Sequence, residues 1–254
     1  VHQLPTPDWI ICDVGTSIFR RDDGGQFEAV EPYQHHQDQI IAGLPLDTLR
    51  QQLATMPGLR LQEDQKQGRF KLSYYVDAEE LDELAAQIQE QLDGAGAPYS
   101  IVASVDPFNG DGLIDLLPAS VSKAHALAWW VQHAGLRHDA IVFAGDSGND
   151  LAALTAGYRA IVVANADRAI ARRAYEAHRE AHWQNLLYLA RQRATSGVLE
   201  GCRWFGLIEP DRRQPAQPGA TPVAASRTHF RVWAPRRNKV IVQAEANGQS
   251  LQAP

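Results

Sequence analysis

A doubly wound α/β fold with a mostly parallel sheet is what this sequence predicts, on three observations. Short apolar runs, Trp9-Ile10-Ile11-Cys12, Ala140-Ile141-Val142-Phe143 and Ala160-Ile161-Val162-Val163, have the length and composition of buried strands. Stretches with helical apolar spacing alternate with them, such as Leu127, Trp130, Val131 and Ala134 before Gly135. The second run passes directly into Ala144-Gly145-Asp146-Ser147-Gly148-Asn149-Asp150, where a helical pattern starts at Leu151. That stretch puts two carboxylates and an amide at the end of a buried strand, the place where open α/β sheets bind ligands. Hard cations such as Mg²⁺ take oxygen ligands of this kind. Capping the next helix needs only one Asp or Ser, so the stretch holds more polar groups than a turn requires.

Composition sets the bounds. The chain has 254 residues, 44% hydrophobic and 21% charged, with a net charge of −6 and acids and bases interspersed. This is ordinary globular composition without the basic patch of a nucleic-acid binder. Cys12 and Cys202 are too few for a disulfide framework, and a reducing, cytoplasmic setting is expected. No apolar run approaches the roughly 18 residues of a membrane span, so no membrane partner is expected.

From the N-terminus, Ser17-Ile18-Phe19-Arg20 and Phe27-Glu28-Ala29-Val30 flank Asp22-Asp23-Gly24-Gly25, the pattern of a hairpin. A helical stretch from about Gln34 to Thr55 follows, with Leu46, Leu49 and Leu53 on one face. Arg69 to Val76 alternates: Phe70, Leu72, Tyr74 and Val76 share one face, Arg69, Lys71, Ser73 and Tyr75 the other. Leu81, Leu84, Ala85, Ile88 and Leu92 mark an amphipathic helix stopped at Gly94, and Tyr99 to Val105 reads as a strand. Leu113 to Leu117 is apolar apart from Asp115. Ser120 or Ser122 can cap the helix that follows. Residues from about 31 to 110 therefore form a small helix-on-sheet layer of their own. Arg168 to Arg193 reads as largely helical. Residues 208–226, with Pro210, Pro215, Pro218 and Pro222, read as a linker. Beyond it, Thr228 to Pro235 and Lys239 to Val242 look like two strands.

Lys123 falls in the first turn of its helix, where the macrodipole disfavours a cation but favours a bound anion. A lysine there can add its charge to a phosphate, or it can simply be solvated. The nine histidines show no metal spacing. The adjacent pair His35-His36 and the i, i+4 pair His178 and His182 read as surface residues. Trp129-Trp130 reads as packing between the core and the 31–110 layer.

Gly145-Asp146-Ser147-Gly148-Asn149-Asp150 resembles the fourth motif of haloacid-dehalogenase-type phosphatases, and Lys123 their third-motif lysine. More closely, the chain resembles the sucrose-phosphate phosphatases. Phe70-Lys71-Leu72-Ser73-Tyr74-Tyr75-Val76-Asp77 matches their cap segment. Asp115-Leu116-Leu117-Pro118 with Ser122-Lys123 matches the return to the core. Asn165-Ala166 matches the following loop, and Gly197-Val198-Leu199-Glu200-Gly201 the C-terminal segment. The resemblance spans about residues 5–207. It implies a Rossmann-like haloacid-dehalogenase core with an inserted α/β cap: core at 1–30 and 111–207, cap at 31–110, linker at 208–226. Phe230-Arg231-Val232-Trp233-Ala234-Pro235 resembles the start of the β-sandwich modules of glycogen-branching and trehalose-forming enzymes, implying an incomplete β module at 227–254.

The resemblance implies Mg²⁺-dependent hydrolysis of a sugar phosphate, sucrose 6-phosphate above all, through an aspartyl-phosphate. Asp146, Asn149 and Asp150 would serve the metal and Lys123 the phosphate, while Lys71, Ser73 and Asn165 would bind substrate. The family's nucleophile lies in an Asp-x-Asp-x-Thr motif. Asp13-Val14-Gly15-Thr16 makes Asp13 an alternative nucleophile, but Gly15 stands where the second Asp, the general acid and base, belongs. Val14-Gly15-Thr16-Ser17-Ile18-Phe19 fits instead a later strand of the family that just precedes the cap. The nucleophile is then expected upstream of Val1, and the chain is expected to be a fragment without phosphatase activity. Another possibility by resemblance is a non-catalytic sugar-phosphate-binding domain associated with or fused to a sucrose-synthesising enzyme.

Overall fold

The computed structural model describes residues 6–106 and 109–208, together with the backbone of four strands between 219 and 253. Two units are present, Val1–Phe205 and Gly206–Pro254. The first begins with an antiparallel meander of β1 (Trp9–Cys12), β2 (Ser17–Arg21) and β3 (Phe27–Ala29), with Trp9 opposite Arg20 and Phe19 opposite Ala29. The hairpin predicted around Asp22–Gly25 thus forms, and the Asp22 carboxylate accepts from the Gln26 N–H at 2.7 Å.

The cap follows. The helical stretch predicted from Gln34 to Thr55 is two helices, α1 (Glu31–Ile41) and α2 (Leu46–Leu53). The break is local: Ala42 and Gly43 take positive φ of 48° and 85°, and Pro45 cannot continue the first helix. Then β4 (Arg60–Leu61), β5 (Leu72–Val76), β6 (Tyr99–Val105) and β7 (Gly112–Pro118) form one antiparallel sheet in the order β4-β5-β7-β6. Because β7 lies between β5 and β6, the cap layer runs to Pro118 and not to about 110 as spacing suggests. Helix α3 (Leu81–Gly94) packs Leu84, Ile88 and Leu92 onto Leu72, Tyr74, Val76, Ile114 and Leu116, all buried in one cluster. The alternate face of β5 meets solvent only at Tyr75. Ser73 is fully buried and Lys71 is 9% exposed.

The core resumes with α4 (Lys123–His133), then β8 (Val142–Gly145), α5 (Leu151–Leu154), β9 (Arg159–Val162), α6 (Arg168–Glu180), β10 (Leu187–Leu189) and α7 (Ala194–Trp204). Strands β8, β9 and β10 pair in parallel, as the alternation of strand and helix predicted. The stretch read as helical to Arg193 breaks after Glu180 to supply β10, which extends the sheet beside β9. Gly197 and Gly201, one turn apart on α7, let it lie directly on β9. A Cβ at Gly201 would come within 2.6 Å of Ile161 Cδ1. His178 is not a surface residue. It is fully buried, its ring nitrogens 3.1 Å and 2.8 Å from the carbonyl oxygens of Trp183 and Leu154.

Among the described residues, the β1–β2–β3 and β8–β9–β10 sheets share no ladder. Helix α4 covers both. Leu127 and Val131 pack with Ile141 under β8, while Ala126 joins Ile18, Val30 and Tyr33 beside β2. Trp129 and Trp130 pack into this apolar layer, as read from the sequence, with Trp130 edge-on to Trp9 of β1 at 6.2 Å. No helix among the described residues is long and apolar enough to cross a membrane.

In the second unit, β11 (Gly219–Ala224) pairs with β12 (Arg227–Arg231), and β13 (Val242–Ala246) with β14 (Gln249–Ala253). Part of the segment read as linker is therefore strand. Pro222 is tolerated there because β11 belongs to a two-stranded ribbon whose register shifts at Pro222. Of the two strands expected at Thr228–Pro235 and Lys239–Val242, Val232–Pro235 and Lys239–Ile241 lie outside the described residues.

Candidate active site

The loop after β8 is organised by Asp150. Gly145 is needed beneath it, since a Cβ there would meet Asp150 Cβ at 2.6 Å. Asp150 Oδ2 accepts from the backbone N–H groups of Asp146 and Ser147, each at 3.1 Å, and lies 2.7 Å from the Ser147 hydroxyl. Its other oxygen, Oδ1, accepts from Lys123 Nζ at 2.6 Å. Lys123 also donates to Asn149 Oδ1 at 2.7 Å. Burial alone would push the Asp150 carboxyl up. Hydrogen bonds from Lys123 and Ser147, with the lysine's charge, outweigh it and hold the carboxyl below the ordinary range.

Helix α4 brings Lys123 to this loop. Ser122 caps it by accepting from the His125 N–H at 3.2 Å, which puts Lys123 in the first turn beside the loop. Asp146 projects outward and is exposed; its Oδ2 accepts from Asn165 Nδ2 at 2.5 Å. Asn165 Oδ1 in turn accepts from the Ala194 N–H at 2.7 Å at the start of α7. Both ends of Asn165 are thus engaged in placing Asp146. Of the three residues expected at the metal, Asp150 and Asn149 spend their oxygens on Lys123, Ser147 and backbone N–H groups. Asp146 Oδ1 faces no donor among the described residues.

A second polar group lies in the cap, on β5 and β7. Ser73 Oγ donates to Asp115 Oδ1 at 2.5 Å, in register across the two strands. Burial pushes the Asp115 carboxyl up, against the Ser73 hydrogen bond and the charge of Lys71; the nearby Asp13 adds to the rise. Lys71 is buried yet makes no ion pair among the described residues. A largely buried lysine with no carboxylate in contact, next to a buried Ser and a neighbouring carboxylate, offers donors and acceptors of the kind that hydroxyl-rich or anionic ligands use. Asp115 was missed as a site residue. Its signal was a single acid in the apolar run Leu113–Leu117. The cap also approaches the core loop, with β6 against the Gly148–Asp150 turn.

Asp13 lies in the turn between β1 and β2, and its charge reaches Asp115 of the cap. Its Oδ2 accepts from Ser17 Oγ at 3.0 Å, and it makes no ion pair with Lys123. Asp13, Val14 and Gly15 all have positive φ, of 51°, 58° and 103°. A Cβ at Gly15 would lie 2.4 Å from the carbonyl oxygen of Ser122, so this tight turn is seated directly on the start of α4. An open cleft of about 950 Å³ beside the β2–β3 hairpin, lined by Trp9, Arg20, Asp22, Glu28 and His133, contains none of these residues.

The family model described as Sucrose-6F-phosphate phosphohydrolase matches residues 1–206. The chain belongs to that family. Its α/β fold is the one expected of a member of that family. Among relatives, a Nitrosococcus oceani protein described only as a HAD-like hydrolase is 37% identical over 80% of this chain and 57% of its own length. The mannosylfructose-phosphate phosphatase of Agrobacterium fabrum is 26% identical over 80% of this chain and 75% of its own. The Synechocystis sucrose-phosphatase, solved in complex with sucrose and phosphate, superposes with a TM-score of 0.63 at 22% identity. That superposition covers 80% of this chain and 76% of the other and shows the shared fold.

Proposed function

We propose that Val1–Phe205 supplies the phosphate-holding loop and the sugar-reading cap of a phosphatase acting on a phosphorylated disaccharide, sucrose 6-phosphate first among candidates. The observation that carries this reading is the Lys123 ammonium, fixed by Asp150 and Asn149 at the C-terminal end of β8 beside the outward carboxylate of Asp146. Phosphoryl transfer needs cationic groups placed where charge builds on the phosphate oxygens, and an ordered lysine at a helix N-terminus meets that need. The cap's Lys71, Ser73 and Asp115 would read the sugar.

Mg²⁺ fits this site in a limited way. Among the described residues no three His, Cys, Asp or Glu side chains converge on a metal position. Mg²⁺, however, keeps several waters and needs only one or two carboxylates with substrate phosphate oxygens. Asp146 would hold it, with Asn149 and Asp150 ordering the loop behind. When bound, the ion would neutralise charge on the phosphate. Lys123 would hold a phosphate oxygen, and Asn165 would keep Asp146 pointed outward.

The nucleophile is the open part of the site. Asp13 is tied to Ser17 and makes no ion pair with Lys123. The next-but-one position cannot carry an acid in this geometry, because Gly15 abuts Ser122. We therefore assign no nucleophile among the described residues and expect this polypeptide alone to bind a sugar phosphate without hydrolysing it. Calorimetry with sucrose 6-phosphate and Mg²⁺, followed by a phosphate-release assay, tests this. The expected result is measurable affinity, at least tenfold weaker in Lys123→Ala, and no turnover. Rapid Mg²⁺-dependent phosphate release, abolished in Asp13→Asn, would restore Asp13 as nucleophile.

A further inference from the structure

Helix α1 at the entrance to the cap is fastened to the core at three points. The Tyr33 hydroxyl donates to the Gly15 carbonyl at 2.6 Å, and Gln37 Nε2 donates to the Thr16 carbonyl at 2.7 Å. Both reach the turn that sits on Ser122. The third fastening is of a different kind. His36 Nε2 of α1 lies 3.0 Å from His125 Nε2 of α4, with the rings nearly parallel at 16° and their centres 5.2 Å apart. The Tyr33 ring stacks over His36, and Trp129 packs on Tyr33 at 4.8 Å. His125 is two residues from Lys123. The two imidazoles thus join the cap's first helix directly to the helix that carries the phosphate lysine.

A hydrogen bond between two imidazole nitrogens holds one proton between them. The pair is stable with both rings neutral or with one charged. With two cations it is repulsive, and among the described residues no carboxylate bonds either ring to offset the second charge. Asp38 on α1 is paired with Arg69 at 2.9 Å, and Lys123 on α4 with Asp150. His35 bonds Gln39, His133 stacks on Trp129, Asp13 holds Ser17, and Arg20 lies over Trp9. Glu31, at the start of α1, makes no bond or ion pair to either ring. Burial and the neighbouring His36 together hold His125 below the ordinary histidine range.

We propose that His36 and His125 form a pH-sensitive latch between cap and core, closed while the pair carries at most one positive charge and opened by the second. The latch is a property of the two helices and stands independently of the phosphatase reading. Its sign follows from linkage. The unfolded chain's histidines take up protons at about pH 6.5, while the bonded rings of the folded pair cannot both be charged without repulsion. The latch therefore contributes fully above that pH and is lost as the pH falls below it.

The test is an NMR titration of the imidazole protons of the intact chain between about pH 8 and 5, with amide hydrogen exchange measured alongside. Over that range, His36 and His125 together should take up no more than one proton. At the acid end, α1 amides should exchange about tenfold faster after correction for intrinsic rates, with α3 amides unchanged. His125→Gln, which keeps a hydrogen-bonding partner for His36 without a second titrating ring, should abolish this acid-specific acceleration. Independent titration of both rings with α1 protection unchanged would overturn the latch. So would acceleration that persists in His125→Gln.

Discussion

In the cap, β5 and β7 are buried along nearly their whole length. In the core, β1 and β8 carry the same kind of apolar sequence and are only half-buried throughout. The cap gathers twelve buried hydrophobics into one cluster, whereas the core divides its own among three clusters of four or five. Yet the core holds Lys123, Asp146 and Asp150. Burial, and with it most hydrophobic stabilisation, scales with area removed from water. In this unit the largest buried apolar cluster lies in the layer that would read the substrate, and the charged groups proposed to hold phosphate sit on the less packed one.

The largest expected effect tests this contrast directly. Ile114→Ala, at a fully buried position in the centre of the cap sheet, should cost about 2–5 kcal/mol in urea unfolding. Ile10→Ala in half-buried β1 should cost less than half of that; equal losses would remove the contrast. The next effect probes a tight contact within the core. Gly201→Val forces a Cβ to within 2.6 Å of Ile161 and should cost about 1–3 kcal/mol. A negligible loss would mean that α7 can slide on β9.

Asp150→Asn should cost about 1–3 kcal/mol at neutral pH, because Lys123 and two N–H groups lose their shared anion. The wild-type carboxyl is held below its ordinary value, so its contribution is present at neutral pH and fades as the pH falls through the acid carboxylate range. The Asn variant should lack that decline, which melting curves from neutral to acid pH will show. The smallest effect has the opposite sign. Burial raises the Asp115 carboxyl, so ionised Asp115 weakens the fold as pH rises. Asp115→Asn should be neutral or stabilising by less than about 1 kcal/mol at neutral pH while lowering sugar-phosphate affinity. A large loss of stability would make Asp115 a structural residue of the cap and not a binding one.

Much of this was legible in the sequence because it is local. The loop from Gly145 to Asp150 closes on itself within six residues, so its carboxylates, amide and glycines stand together in the chain. Ser122 and Lys123 at a helix start were legible for the same reason. The features that escaped are held by distant partners. His178 read as surface because its two acceptors, from Leu154 and Trp183, come from outside its helix. The Ser73–Asp115 pair depends on β5 and β7 becoming neighbours across 42 positions, which no local pattern announces. His36 and His125 are 89 positions apart. Strand β10 was hidden because three residues carry too little periodicity to interrupt a helical reading.

The turn at Asp13-Val14-Gly15 has a consequence for anyone engineering this protein. Writing an acid at position 15 is the obvious single edit toward an Asp-x-Asp pair, and here it is blocked twice. The backbone there is at φ 103°, which L side chains rarely adopt, and the Ser122 carbonyl oxygen occupies the space. The edit would prise α4 away from the hairpin and take Lys123 with it. A gain-of-function design would have to bring its acid on a separate segment and leave this joint untouched.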